Sequence, residues 1–310
     1  MEKVVGFIGL GAMGSRMAKN LLKAGFQCIV YDVRKEAVDE LARIGARPAS
    51  SPEEVARKSD VILLSLPSSP HVEEVMLGPN GVLKGARPGS LVIDLSTIDP
   101  ITTRRIYDEA KKRGVIFIDA PVSGGTWGAE AATLTIMVGA PSEEVFSRAK
   151  EVLQYLGKKI VHVGDVGHGQ VIKLANNAMG CVNLFAAIEA LLWAAKQGVN
   201  LEKALEVISE SSGDSWALRN RIPRIIKRVF EPGFKTWLMH KDIGIFLKTA
   251  TEIKMYTPFI ALAYQFLQLA IANGYADEDW GSVAKLYEKL LNIELKLEGL
   301  TPPHPGVQGE

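Results

Sequence analysis

Between Gly167 and Asn177 the chain reads GHGQVIKLANN, and the apolar run AMGCVNLFAAIEALLWAAKQG continues from it. One lysine and two adjacent asparagines stand near the start of what reads as a helix buried all round. A lysine can take up and return a proton in catalysis only if its ammonium gives that proton up near neutral pH. A free lysine titrates at about 10.4, and burial among apolar side chains lowers that value by stripping water from the charged form. Lys173 either works in this way or carries its ammonium to solvent along its alkyl stem. Gln170, Lys173 and Asn177 fall at helical spacing on one face, continued by Cys181 and Leu184. Asn176 points about 100° away and reads as structural.

A second set of residues could hold phosphate. Gly9-Leu10-Gly11-Ala12-Met13-Gly14 is G-x-G-x-x-G, following the strand-like KVVGFI and opening a helical pattern. Gly9 allows a tight turn, Gly11 lets backbone approach a pyrophosphate, and Gly14 lets helix and strand pack closely. The helix N-terminus then offers free N–H groups and a partial positive charge. Asp32 lies about 20 residues beyond the loop, where a carboxylate accepts the adenosine ribose 2′-hydroxyl and favours NAD. Arg34 follows at once; it either holds a 2′-phosphate or is a solvated residue opening the next helix. The signals conflict, and the reading leans slightly to NADP being accepted. Leu66 and Pro67 end one apolar strand and Thr97 follows another, the strand ends outside which such sheets bind ligands. Ser96-Thr97 also suits a helix N-cap.

A third stretch, Asp119-Ala-Pro-Val-Ser-Gly-Gly125, ends a further strand. Ser123, Gly124 and Gly125 present backbone N–H groups with little side-chain obstruction, a cradle for a small carboxylate or simply an irregular turn.

The elements that must position these residues follow a plain grammar. Apolar runs at 3–8, 28–31, 61–66, 91–95 and 115–120 alternate with helical patterns, and 134–139 and 159–164 flank one more helix. This predicts an α/β, doubly wound Rossmann-type domain over 1–164 with a parallel sheet covered on both faces. From 165 to 298 only helices are expected (168–197, 201–211, 214–229, 237–253, 258–273 and 280–298), forming an all-α domain joined by a long interdomain helix. Residues 299–310 read as a flexible proline- and glycine-rich tail.

Bulk properties narrow the function classes. The chain has 310 residues, 47% hydrophobic and 23% charged, with net charge +1. That charge leaves no footprint for nucleic acid or an anionic membrane. The stretch 178–195 contains Asn183 and Glu189 and reads as a core helix, not a membrane span. Cys28 and Cys181 form no framework and five scattered histidines form no ligand pair, so no metal and no disulfide are expected. The N-terminus lacks the pattern of a signal peptide, and a cytoplasmic protein is expected.

The combination GFIGLGAMGSRMAKNLLKAG, DAPVSGG, GHGQVIKLANN and HKDIGIFL resembles the β-hydroxyacid dehydrogenase family over nearly the whole chain. The resemblance implies hydride transfer between a nicotinamide cofactor, NADP or NAD, and a small 3-hydroxy acid of the 3-hydroxyisobutyrate, serine, 3-hydroxypropionate or glycerate type. It makes Lys173 the proton-transfer residue and Asn177 the residue that orients substrate. Ser123, Gly124 and Gly125 would hold the substrate carboxylate, and Lys241 and Asp242 would close the site, Lys241 also on the cofactor side. Trp216 resembles a pocket-lining position but equally suits core or interface packing. Ala132 stands where the family commonly has glycine, which raises a question of local loop shape; so does Ala140. The resemblance also allows tartronate semialdehyde reduction; a non-catalytic nucleotide-binding scaffold is disfavoured because Lys173 is present. Long apolar helices in the second domain predict a homodimer or homotetramer.

Overall fold

The structure, a computed structural model, describes residues 4–296. The chain divides into two compact units, Met1–Lys173 and Leu174–Glu310. Sequence patterning put the boundary at the glycine-rich stretch 164–169. The division into compact units falls a few residues later, inside the long helix, so the first residues of that helix go with the sheet. The expected tail, 299–310, lies outside the described residues; the helix expected over 280–298 ends instead at Leu291, where Asn292 turns left-handed.

In the first unit the order is β1 (Val4–Ile8), α1 (Gly14–Lys23), β2 (Gln27–Tyr31), α2 (Lys35–Ala42), β3 (Arg47–Pro48), α3 (Pro52–Arg57) and β4 (Val61–Leu64). Then come α4 (Ser69–Leu77), α5 (Val82–Gly85), β5 (Leu91–Asp94), α6 (Pro100–Lys112), β6 (Ile116–Asp119) and β7 (Val122–Ser123). The unit closes with α7 (Gly125–Ala131), β8 (Leu134–Gly139), α8 (Glu143–Leu153) and β9 (Gly157–Gly164). The strands form one sheet in the order β3-β2-β1-β4-β5-β6-β8-β7, with β9 on β8. The run from β3 to β6 is parallel throughout. It has the 3-2-1-4-5-6 order of a dinucleotide-binding sheet.

The parallel expectation fails at one end. β8 runs antiparallel to β6 and to the two-residue β7. The segment between β6 and β8 holds β7 and the short α7, and β8 returns from α7 to pair with β7 as an antiparallel neighbour. Side chains alternate between faces, and each face has its own core. Val5, Phe7, Met17, Leu21 and Ile118 pack on one side. Ile8, Ile62, Leu64, Val72 and Phe117 pack on the other. Each such fully buried side chain contributes about 1.5–3 kcal/mol. The short helices α4, α5 and α7 were not legible from periodicity, which needs longer segments.

The helix α9 (His168–Lys196) leads out of the first unit. The second unit continues with α10 (Leu201–Ser209), α11 (Trp216–Asn220), α12 (Ile222–Ile226), α13 (Thr236–Glu252), α14 (Pro258–Ala272) and α15 (Ala284–Leu291), the last preceded by a 3₁₀ turn at Trp280–Val283. The single helix expected over 214–229 is broken at Arg221, where Pro223 enters the first turn of α12. Arg221 Nη1 bonds Asp279 Oδ2 at 2.7 Å, both buried, and Asp279 also accepts from the Gly233, Phe234 and Gly281 N–H groups. This knot explains why two charges are tolerated there. By length and composition α9 could cross a membrane; 44% of its most apolar window is buried in the fold. Leu184, Ile188, Leu191 and Leu192 place that window in the second unit's core.

Candidate active site

The glycine loop has the geometry its spacing implies. Gly9 takes φ +92°, a left-handed conformation that a side chain would strain, and a Cβ there would also strike Ser65 O. A Cβ on Gly14 would strike Gly9 O. Gly11 differs: a Cβ there would meet no protein atom within 4 Å. Packing demands two of the glycines, while the third leaves open room beside the N-terminus of α1. That helix begins at Gly14; Met13 before it supplies no side-chain cap, and its first turn holds no acidic residue. Its N–H groups and positive end suit a pyrophosphate, so the chain's own residues fit a dinucleotide.

Asp32 lies at the end of β2, its side chain nearly buried. Its Oδ2 accepts from Leu10 N at 2.6 Å, and its Oδ1 accepts from Arg34 N at 2.8 Å. The Arg34 guanidinium pairs with that same oxygen at 3.2 Å and donates to Leu10 O at 3.0 Å. The two conflicting cofactor signals are thus one ion pair fastened to the glycine loop. Leu66 N donates to Ser96 Oγ at 2.9 Å, tying the segment after β4, with Pro67, to the segment after β5, with Thr97.

Ser123 closes β7. Gly124 (φ +133°) and Gly125 (φ +63°) follow it in conformations that glycine reaches at little cost. Ala132 ends α7 at φ 56°, ψ 36°. The loop therefore keeps a left-handed turn without the glycine that would relieve it. Ala140 adopts no positive φ and donates to Gly164 O at 2.9 Å, so its side chain is accommodated.

Lys173 is buried, as are Gln170, Asn177, Cys181 and Leu184, which confirms the single face read from the spacing. Two residues that sequence reasoning left without a role hold the start of this helix. Asp119 Oδ1 accepts from Gly167 N at 2.6 Å and Oδ2 from Gln170 N at 2.8 Å. Gln170 Oε1 accepts from Ile98 N at 3.1 Å, and its Nε2 donates to Ser96 O at 2.9 Å. Burial pushes the Asp119 carboxyl up to about 6, held back by the Gly167 and Gln170 N–H groups it accepts from. A Cβ on Gly169 would lie 3.1 Å from Pro121 Cδ, so the first turn of α9 packs against the loop that leads to Ser123.

In the second unit, Asn177 Nδ2 donates to Asp242 Oδ2 at 2.7 Å, and Asn177 Oδ1 accepts from Asn176 at 3.1 Å. The carboxylate partner dictates which end of the carboxamide is which. Asn176 is exposed and serves to orient its neighbour. Asp242 is buried, and Lys241 Nζ lies 3.0 Å from its Oδ1. HKDIG therefore supplies a charged pair that fixes Asn177. Trp216 is 53% exposed, with the Arg221 guanidinium 5.3 Å from its ring centre, which excludes the core reading. Elsewhere on the long helix Phe185 is buried, while Met179 and Trp193 are exposed. Cys28 and Cys181 are free and buried, and burial pushes both thiols up to about 12, so neither is a ready nucleophile.

A 3-2-1-4-5-6 sheet with this glycine loop defines a Rossmann-type dinucleotide-binding protein, here with a buried lysine on a helix tied to the strand ends. Comparisons with known proteins specify the family. Residues 4–164 match the model for the NAD binding domain of 6-phosphogluconate dehydrogenase. Residues 167–287 match the NAD-binding model of NADP-dependent 3-hydroxyisobutyrate dehydrogenase. The chain is 41% identical over 298 residues to 2-(hydroxymethyl)glutarate dehydrogenase of Eubacterium barkeri, covering 95% of this chain and 99% of that one. It is 39% identical over 293 residues to NAD-dependent L-serine dehydrogenase of Pseudomonas aeruginosa, covering 92% and 98%. The solved structure of Mycobacterium tuberculosis 3-hydroxyisobutyrate dehydrogenase with L-serine superposes with TM-score 0.86 at 33% identity, covering 93% of this chain and 99% of that one. The chain belongs to the β-hydroxyacid dehydrogenase family.

Proposed function

We propose that the chain oxidises a small 3-hydroxy acid with a nicotinamide cofactor, and that Lys173 is its general base. The observation that carries this is a buried lysine one helical turn from a buried, oriented asparagine. When bound, the cofactor supplies the hydride acceptor. As the hydroxyl carbon gives up hydride, Lys173 Nζ takes the hydroxyl proton; in reduction it returns that proton to the carbonyl oxygen. Asn177, held by Asp242, donates its second amide hydrogen to the same oxygen. Ser123 and the N–H groups of Gly124 and Gly125 hold the carboxylate.

Candidate substrates are 3-hydroxyisobutyrate, serine, 3-hydroxypropionate and glycerate, with tartronate semialdehyde as an alternative in the reductive direction. Following the absorbance of the reduced nicotinamide with each of these tests the reading. Turnover of at least one supports it, and none with any would overturn it. For the cofactor, Arg34 neutralises Asp32 and leaves its guanidinium half exposed, which supports acceptance of NADP as well as NAD. Arg34→Ala is expected to weaken NADP about tenfold while changing NAD little; equal effects on both would exclude a 2′-phosphate contact. The free cysteines support a reducing, cytoplasmic location. The exposed Met179, Trp193, Phe259 and Leu262 support a homo-oligomer, testable by sedimentation.

A further inference from the structure

A helix that needs only stability takes its N-cap from the residue before it, usually Ser, Thr, Asp or Asn. Before α9 stands Gly167, which has no side chain to offer. The cap comes instead from Asp119, the last residue of β6 and 48 residues away in sequence from Gly167. A buried carboxylate is costly, and a local cap would satisfy the same N–H groups more cheaply. What the distant cap adds is position: it ties the start of the helix to the carboxyl end of a particular strand. Gln170 makes the same kind of tie on another side, bonding backbone on both flanks of Thr97. Through Ser96, that backbone is bonded to Leu66 N beyond β4. Two strand ends, those of β6 and β5, therefore converge on the single turn that precedes Lys173, and the end of β4 is tied to the second of them. Close approach is built in: a Cβ on Gly169 would lie 2.7 Å from Asp119 Oδ2. A helix is stiff over one turn, and Lys173 stands about 4.5 Å along the axis from Gln170.

We propose that Asp119 and Gln170 are positioning residues that set the register of Lys173 against the bound nicotinamide. Neither touches substrate or cofactor; both act through the lysine. The inference rests on Lys173 being the proton-transfer group. It is tested with Gln170→Met, which keeps the buried volume but removes both bonds, with Asp119→Asn, which keeps shape but loses one acceptor, and with Lys173→Ala as control. Kinetics are measured per folded molecule, with cofactor affinity by fluorescence titration and stability by thermal unfolding. Expected is a fall in kcat of about 10- to 100-fold in Gln170→Met and Asp119→Asn. Substrate KM and cofactor Kd should stay within about threefold. A kcat within about twofold of the unaltered enzyme, whatever the change in Tm, overturns the inference. So does a parallel worsening of KM and Kd, which is what a merely structural role would give. If Asp119→Asn does not fold, Gln170→Met decides alone. If Lys173→Ala stays active, the functional reading fails and the inference with it. If Lys173→Ala is inactive while Gln170→Met is normal, only the positioning role fails.

Discussion

The helix α9 is held in two different ways along its length. From His168 to Lys173 it belongs to the nucleotide-binding unit, and directional hydrogen bonds from Asp119 and Gln170 hold it. From Leu174 onward it belongs to the helical unit, and Cys181, Leu184, Ile188, Leu191 and Leu192 hold it by apolar packing. One buried polar contact, Asn177 with Asp242, interrupts that packing. Apolar contact is strong but indifferent to small shifts, whereas a hydrogen bond weakens steeply as its angle and length change. The lysine sits where the helix is held by direction, and the core of the second unit sits where it is held by area.

The contrast can be broken by experiment. Lys173→Ala should lower kcat about 10³-fold while leaving cofactor binding intact; cofactor titration beside steady-state kinetics checks this, and retained turnover would remove the lysine from the chemistry. Leu184→Ala, in the apolar part, should cost about 3 kcal/mol of stability with kcat of the folded enzyme unchanged. Urea unfolding beside kinetics reads both, and a loss of kcat there would erase the distinction between the two parts. Asn177→Ala should lower kcat/KM about 30-fold, because an unoriented substrate oxygen meets the base less often. Asp242→Asn should cost less, since an amide oxygen can still accept from Asn177. An Asp242→Asn loss larger than that of Asn177→Ala would mean that the carboxylate, not the carboxamide, meets the substrate. Smallest, Ala132→Gly should stabilise the protein by about 1 kcal/mol by relieving a left-handed alanine, with no change in kcat. A differential scanning trace is sufficient to check it.

Much of the site was legible because its signals are local. The glycine loop works within a strand, a turn and one helix end, so six consecutive residues carry its reason. The face shared by Gln170, Lys173 and Asn177 follows from helical spacing alone. Asp119 was visible only as a polar residue ending an apolar strand, because what it caps lies about fifty residues on. Asp242 was tied to the site through resemblance, and its bond to Asn177 spans 65 residues. The breaks and reversals that periodicity missed have the same origin. Nothing local to 214–229 announces that Arg221 turns aside to meet Asp279, and nothing local to LTIMVG announces a strand running against its neighbour.

The sequence by itself determined the alternation of strands and helices that makes a Rossmann-type unit, the glycine loop at the start of its first helix and the presence of a lysine on a buried helical face. These follow from backbone sterics and side-chain period, which act over a few residues. Only the tertiary structure decided that Asp32 and Arg34 form one pair bound to the glycine loop. It alone decided that Asp242 fixes Asn177 and that two strand ends grip the turn before Lys173. Those are contacts between residues far apart in the chain, and only folding brings such groups within hydrogen-bonding range.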